Sequence, residues 1–245
     1  MVYSLTISVR FLYWGVYKRN DMETDNITRR RTGSTFSVHH VRDVGAGAFV
    51  LRFDRNGLTF EPGQYLSVGP AGDIHMREYS VYSSPGDEYL EILVKEVDGG
   101  YVSTRLGALK PGDGVAVDGP FGFFTIDEDW RDHRYVFVAT GTGISPFHDF
   151  VRSYPGIDYT LLHGIRSSAE RYEVETYGAG RYRSCISRND DGDYRGRVTD
   201  YLRGDQVDTE ARYYLCGNCD MIYEVFDILQ DAGVPHNQIF AEVYF

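Results

Sequence analysis

The chain has 245 residues, 42% apolar, 25% charged and 15% aromatic, which is the make-up of a folded chain able to bury a core without disulfides, as one large domain or two modest ones. Its 36 acidic and 25 basic side chains give a net charge of −11, which argues against general nucleic-acid binding. Three cysteines (Cys185, Cys216, Cys219) form no paired framework and no apolar tract is long enough to span a membrane, so a reducing, cytoplasmic setting is expected.

Residues 1–34, with 6 basic and 3 acidic side chains, read as an N-terminal extension and fit neither a signal nor a transit peptide. Met22 is a candidate start within it. From Phe36 to Ile126 the pattern changes to short β-rich runs: Ala48–Phe53, Gln64–Val68, Tyr79–Ser83, Leu90–Val97 and Val115–Val117, with Pro-Gly turns at 62–63 and 111–112. That spacing predicts a small antiparallel β-barrel over 35–127. Within it, Arg77 and Tyr79 share one face of an extended strand and Ser80 takes the other. An ordinary amphipathic strand has the same pattern. Gly99-Gly100 then leads into Tyr101-Val102-Ser103-Thr104-Arg105, a turn followed by a capped helix start and a potential diphosphate seat.

Past the polar stretch 127–133 the rhythm becomes that of an α/β domain over 128–245. Arg134–Ala139, Tyr159–Leu162, Tyr213–Cys216 and Ile239–Val243 are apolar strand candidates separated by enough chain for crossover helices, which predicts a doubly wound, mostly parallel sheet. The first of these strands runs into Gly141-Thr142-Gly143-Ile144-Ser145-Pro146, where two glycines and a proline suited to a first helical turn make a phosphate-binding site or a plain structural turn. Seven of the 12 basic residues in this half lie between Arg166 and Arg197, a cluster that suits an anionic ligand or a salt-bridged face.

The succession Arg77-x-Tyr79-Ser80, Gly100-x-x-Ser103-Thr104, Gly119-Pro120-Phe121-Gly122, Gly141 to Phe147, Ser187-Arg188, Gly196-Arg197, Cys216-Gly217-Asn218 and Glu242-Val243-Tyr244 closely resembles the ferredoxin–NADP reductases, from about residue 36 onward. The resemblance implies an FAD-binding barrel followed by an NADP-binding domain. It places Arg77 at the FAD diphosphate, Tyr79 against the isoalloxazine, Ser80 near its N5 edge, and Gly100, Val102, Ser103 and Thr104 around the diphosphate. Gly141, Thr142 and Gly143 would border the nicotinamide, while Arg166, Ser187, Arg188 and Arg197 would surround the 2′-phosphate. NADP is therefore preferred over NAD, with Asp190, Asp191 and Asp193 facing either these arginines or solvent.

The same resemblance puts Ser80, Cys216 and Glu242 at the hydride-transfer site, Glu242 as a proton relay. The Tyr244-Phe245 ending is that of the bacterial subgroup, with Tyr244 over the flavin and Phe245 against the adenine. Cys219 stands where many relatives have proline, which opens a Cys216–Cys219 dithiol as a minor alternative; a metal site is not expected. His39, His40 and His75 read as surface or barrel residues, and His163 as packing near the nucleotide. The implied function is electron exchange between NADP(H) and ferredoxin or flavodoxin, with a monomer expected. The alternatives are a flavin or ferric reductase, an oxygenase reductase component, and a non-catalytic flavin redox sensor.

Overall fold

The computed structural model describes residues 34–188, 191–204 and 207–244. Met22 and almost all of the expected extension, together with Asp190 and Phe245, lie outside the described residues.

The first half contains β1 (Ser34–Gly45), β2 (Ala48–Asp54), β3 (Tyr65–Pro70), β4 (Arg77–Ser80), β5 (Tyr89–Lys95), a short helix α1 (Tyr101–Gly107) and β6 (Gly114–Phe121). The strands pair antiparallel in the order β4-β3-β6-β1-β2-β5. Val81, one residue past β4, bridges Ile92 of β5 and closes the sheet into a barrel. Period-two alternation lets β2 serve two cores: Phe49, Leu51 and Phe53 fill the barrel, while Ala48 and Val50 turn to the junction with the second half.

That second half contains β7 (Arg134–Thr140), α2 (Ser145–Ser153), β8 (Asp158–Ile165), β9 (Tyr182–Ile186), β10 (Tyr194–Arg195), α3 (Val198–Arg203), β11 (Arg212–Asn218), α4 (Cys219–Asp231) and β12 (Ile239–Tyr244). All six strands are parallel, in the order β10-β9-β8-β7-β11-β12. β7 is buried on both faces, as a central parallel strand must be. Phe137 and Ala139 pack with Phe147 and Phe150 of α2, while Val138 packs with Val198 of α3 and Val225 of α4. Helices therefore cover both faces, and the expected architecture, an antiparallel barrel followed by a doubly wound parallel sheet, is the one the chain adopts.

The halves share a core. Phe124, which follows the barrel, packs against Phe147, Phe150 and Tyr214 at ring separations of 6.1, 6.0 and 5.2 Å. Arg42 pairs with Glu173 at 2.6 Å and Arg152 with Asp87 at 2.9 Å across the same boundary. Among the described residues no helix is long and apolar enough to cross a membrane.

Candidate functional site

β7 is flanked by β8 on one side and β11 on the other, so the chain leaves the carboxyl ends of β7 and β11 in opposite directions and a crevice opens between them. A cleft of about 680 Å³ occupies this position, lined by Gly141, Thr142, Arg166, Ser187, Arg197 and Tyr244 among others. After β7 the chain makes a 3-10 turn, Gly141–Ile144, before α2, where Pro146 takes its place in the first turn. Gly143 is required by contact: a Cβ there would meet the Cys216 carbonyl and come within 2.7 Å of the Gly217 Cα. Thr140 Oγ1 accepts the Asn218 amide at 2.9 Å, tying the ends of β7 and β11 together, and Asn218 caps α4 by accepting the Met221 amide at 3.2 Å.

At the other end of the cleft, Arg166 follows β8 and Arg197 precedes α3, both side chains exposed. Ser187 donates weakly to the Ile165 carbonyl at 3.4 Å. Arg188 is exposed next to Ser187 and is not among the lining residues. Asp193 faces neither the arginines nor open solvent alone, since its Oδ2 accepts the Ser184 amide at 2.8 Å and the Ser184 hydroxyl at 2.7 Å. Among the lining residues that escaped the sequence reading are Lys95, brought from the barrel by β5; Glu170, whose Oε2 accepts the Arg166 amide at 3.1 Å; and Glu224, paired with Arg203 at 2.6 Å. Lys95 had no local signal, because only the closed barrel carries β5 to the cleft.

Strand register builds the corner between the halves. Cys216 of β11 lies opposite Glu242 of β12, and Tyr244 follows two residues on, so period two sets Glu242 and Tyr244 on one face. Ser80, 2% exposed at the end of β4, meets them: its Oγ donates to Glu242 Oε2 at 2.9 Å and lies 2.6 Å from the Tyr244 hydroxyl. The Ser80 carbonyl accepts the Ser145 hydroxyl at 3.2 Å, pinning the strand end to α2. Burial pushes the Glu242 carboxyl up to about 7, against the Ser80 hydrogen bond and with Glu78 adding repulsion. Burial likewise holds the Cys216 thiol well above its usual range, so it stays protonated. Cys185, Cys216 and Cys219 are all free, with Cys219 in the first turn of α4.

On β4, Tyr79 packs against the barrel core and burial raises its phenol to about 12. Arg77 is exposed, donating from Nη1 to the Met76 carbonyl at 2.8 Å, and forms no ion pair with a carboxylate among the described residues. At the start of α1, Gly100 is the N-cap and supplies no side-chain bond, Val102 and Ser103 are buried and Thr104 is exposed. Ser103 Oγ accepts the Val97 amide at 3.1 Å, so its hydroxyl holds the preceding turn. An unpaired guanidinium, a half-buried aromatic and a desolvated carboxyl with no cationic partner among the described residues form a donor set that suits a flavin with a diphosphate tail.

A family profile described as "Oxidoreductase FAD-binding domain" matches residues 37–126, and one described as "Oxidoreductase NAD-binding domain" matches residues 137–226. The chain is 31% identical over 210 residues to the reductase component of propane 2-monooxygenase from Mycolicibacterium smegmatis, a match covering 76% of this chain and 60% of that protein. It is 29% identical to ferredoxin–NADP reductase B of Sorangium cellulosum, covering 79% of this chain and 88% of that one. In structure it resembles a ferredoxin–NADP+ reductase from Neisseria gonorrhoeae solved with bound FAD and NADP, at a TM-score of 0.79 and 21% identity over 87% of this chain and 99% of that one.

Proposed function

This chain belongs to the ferredoxin–NADP reductase family of FAD- and NAD(P)-binding oxidoreductases, and on that premise we propose that it takes electron pairs from NADPH and delivers single electrons to a ferredoxin or flavodoxin. The observation that carries the reading is the meeting of Ser80 from the barrel with Glu242 and Tyr244 from the parallel sheet, Tyr244 itself lining the cleft. Bound FAD supplies the exchange between paired and single electrons, and bound NADPH the pair.

The chain's own residues bind, orient and handle protons. Arg77 and the first-turn amides of α1, with Gly100, Val102, Ser103 and Thr104, hold the FAD diphosphate, and Tyr79 walls one face of the ring system. Gly141, Thr142 and Gly143 line the nicotinamide end of the cleft. Arg166, Ser187 and Arg197 hold the 2′-phosphate, with Arg188, outside the lining but next to Ser187, adding positive charge beside it, which is the reason for preferring NADP over NAD. Glu242, raised to about 7, holds or gives up a proton at Oε2 near neutral pH and passes it through the Ser80 hydroxyl. Cys216 packs beneath as a neutral thiol. Tyr244 keeps its hydroxyl on the Ser80 Oγ while that Oγ also donates to Glu242.

The test is anaerobic mixing of the FAD-loaded protein with NADPH and, separately, NADH, following the flavin absorbance. Faster bleaching by NADPH is expected, and no bleaching by either nucleotide refutes the reading. A second reading, an oxygenase reductase component, is favoured by the 31% identity to the propane 2-monooxygenase reductase component. Faster reduction by NADH together with failure to reduce ferredoxin or flavodoxin would favour it. Sustained oxidation of nucleotide with an artificial acceptor separates both from a non-catalytic sensor.

A further inference from the structure

His163 sits at the carboxyl half of β8, fully buried, with both ring nitrogens engaged. Nε2 lies 2.8 Å from the Gly141 carbonyl and Nδ1 lies 2.9 Å from the Tyr182 hydroxyl. A carbonyl only accepts, so Nε2 carries the proton; burial pushes the imidazole down to about 4, so at neutral pH Nδ1 is bare and the Tyr182 hydroxyl donates to it. The ring's tilt is held by Tyr172 and Tyr182, at centroid separations of 6.1 and 5.8 Å. Tyr182 in turn stacks on Tyr177 at 5.6 Å, and Tyr177 meets His148 edge-on at 6.2 Å.

The residue held by this bond is the first of the turn that lines the cleft. Gly141 has φ +52°, a left-handed conformation that glycine adopts about as readily as a right-handed one, so its own backbone does not select it. In a trans peptide the carbonyl and the following N–H point in opposite directions. With the Gly141 carbonyl drawn inward to His163, the Thr142 N–H is turned outward, and as the second residue of a 3-10 turn it has no partner within that turn. Thr142 is a lining residue of the cleft.

Resting on the nucleotide-binding reading above, we propose that His163 is a positioning residue: through the Gly141 carbonyl it fixes the peptide that presents the Thr142 amide to the nicotinamide half of the bound nucleotide, with Tyr182 fixing the imidazole from behind. It touches no ligand itself. A residue that merely packed would not be replaced by another hydrogen-bond donor, whereas this geometry needs a donor to the Gly141 carbonyl.

The experiment compares binding of NADP+ and of 2′-phospho-AMP, which lacks the nicotinamide half, to the FAD-loaded protein by calorimetry. The variants are His163→Phe, His163→Gln, whose amide nitrogen can still donate to the Gly141 carbonyl, and Tyr182→Phe. His163→Phe is expected to weaken NADP+ binding about tenfold and leave 2′-phospho-AMP within about twofold, with His163→Gln recovering most of the loss and Tyr182→Phe falling between. Equal weakening of both ligands, or unchanged NADP+ affinity, overturns the proposal. Nitrogen-15 NMR of the unaltered protein is independent of how the variants fold: a neutral Nε2–H tautomer at pH 6 to 8 is expected, and an Nδ1–H tautomer overturns the assignment. If the unaltered protein binds 2′-phospho-AMP but not NADP+, the positioning role fails while the phosphate site stands. If it binds neither, the nucleotide reading fails and takes the proposal with it.

Discussion

Asp149 offers a quantitative test of how the two halves are joined. It is fully buried in α2, accepting the Ser153 hydroxyl at 2.6 Å on Oδ1 and the Gly63 amide of the barrel at 3.2 Å on Oδ2. Burial outweighs those bonds and the nearby Arg152, raising the carboxyl from 3.8 to about 7. Between these values the folded chain keeps a proton that the unfolded chain has released, so stability contributed below the lower value is lost as pH rises through the upper one. The penalty on the folded state is about 2 kcal/mol at pH 5 and about 4 kcal/mol at pH 8. Asp149→Asn has no such titration and keeps an acceptor for one of the two bonds. Its stability relative to the parent protein should therefore improve by about 2–3 kcal/mol between pH 5 and pH 8. Glu242 titrates in the same window with the same sign, but in both proteins, and cancels in the difference. Urea unfolding of both proteins at pH 5, 6, 7 and 8 measures the effect, and parallel stability curves would refute the argument that Asp149 is buried with its proton.

Three other outcomes follow from the site. Glu242→Gln should slow acceptor reduction about a hundredfold and abolish the pH-dependent limb near 7 in the rate profile from pH 5.5 to 9; a limb that survives the substitution would assign it to another group. Arg166→Ala and Arg197→Ala should each raise the KM for NADPH about tenfold while moving that for NADH less than about twofold, and equal effects on both nucleotides would remove these arginines from the 2′-phosphate. Gly143→Ala should cost about 1–3 kcal/mol of stability, because the new methyl meets the β11 backbone rather than a side chain that can swing aside. An unchanged melting temperature would count against that close packing.

The two-domain order was legible because it rests on spacing: short β-rich runs separated by turns before the polar stretch at 127–133, apolar strand candidates separated by enough chain for crossover helices after it. β1 was not legible as a strand, since His39, His40, Arg42 and Asp43 break its apolar alternation. It is set by pairing with β2 and β6 on either side. β9 and β10 were missed for a related reason, being short and polar and placed by pairing with β8 rather than by their own preference. Of the site, the residues named from motifs came together at Ser80, Glu242 and Tyr244, because strand register and sequence spacing express the same geometry. Ser103 differs, since its hydroxyl serves the Val97 amide, a local competition that spacing does not reveal. The role of His163 was hidden too, because which carbonyl an imidazole reaches depends on the conformation of a glycine 22 positions away.

Ser80 reaches Glu242 and Tyr244 across 162 and 164 positions of chain. During synthesis, barrel strands emerge long before β12 does, and a domain with its own core folds as a unit once it is out. The nascent barrel therefore presents Ser80 with no carboxyl or phenol to meet, and the corner where the halves join is completed only when β12 slots beside β11. A chain that ends before β12 keeps the residues of the barrel core but loses Glu242 and Tyr244 from the corner, and with them Phe240 from the shared core and Ile239, Ala241 and Val243 from the far face of the parallel sheet.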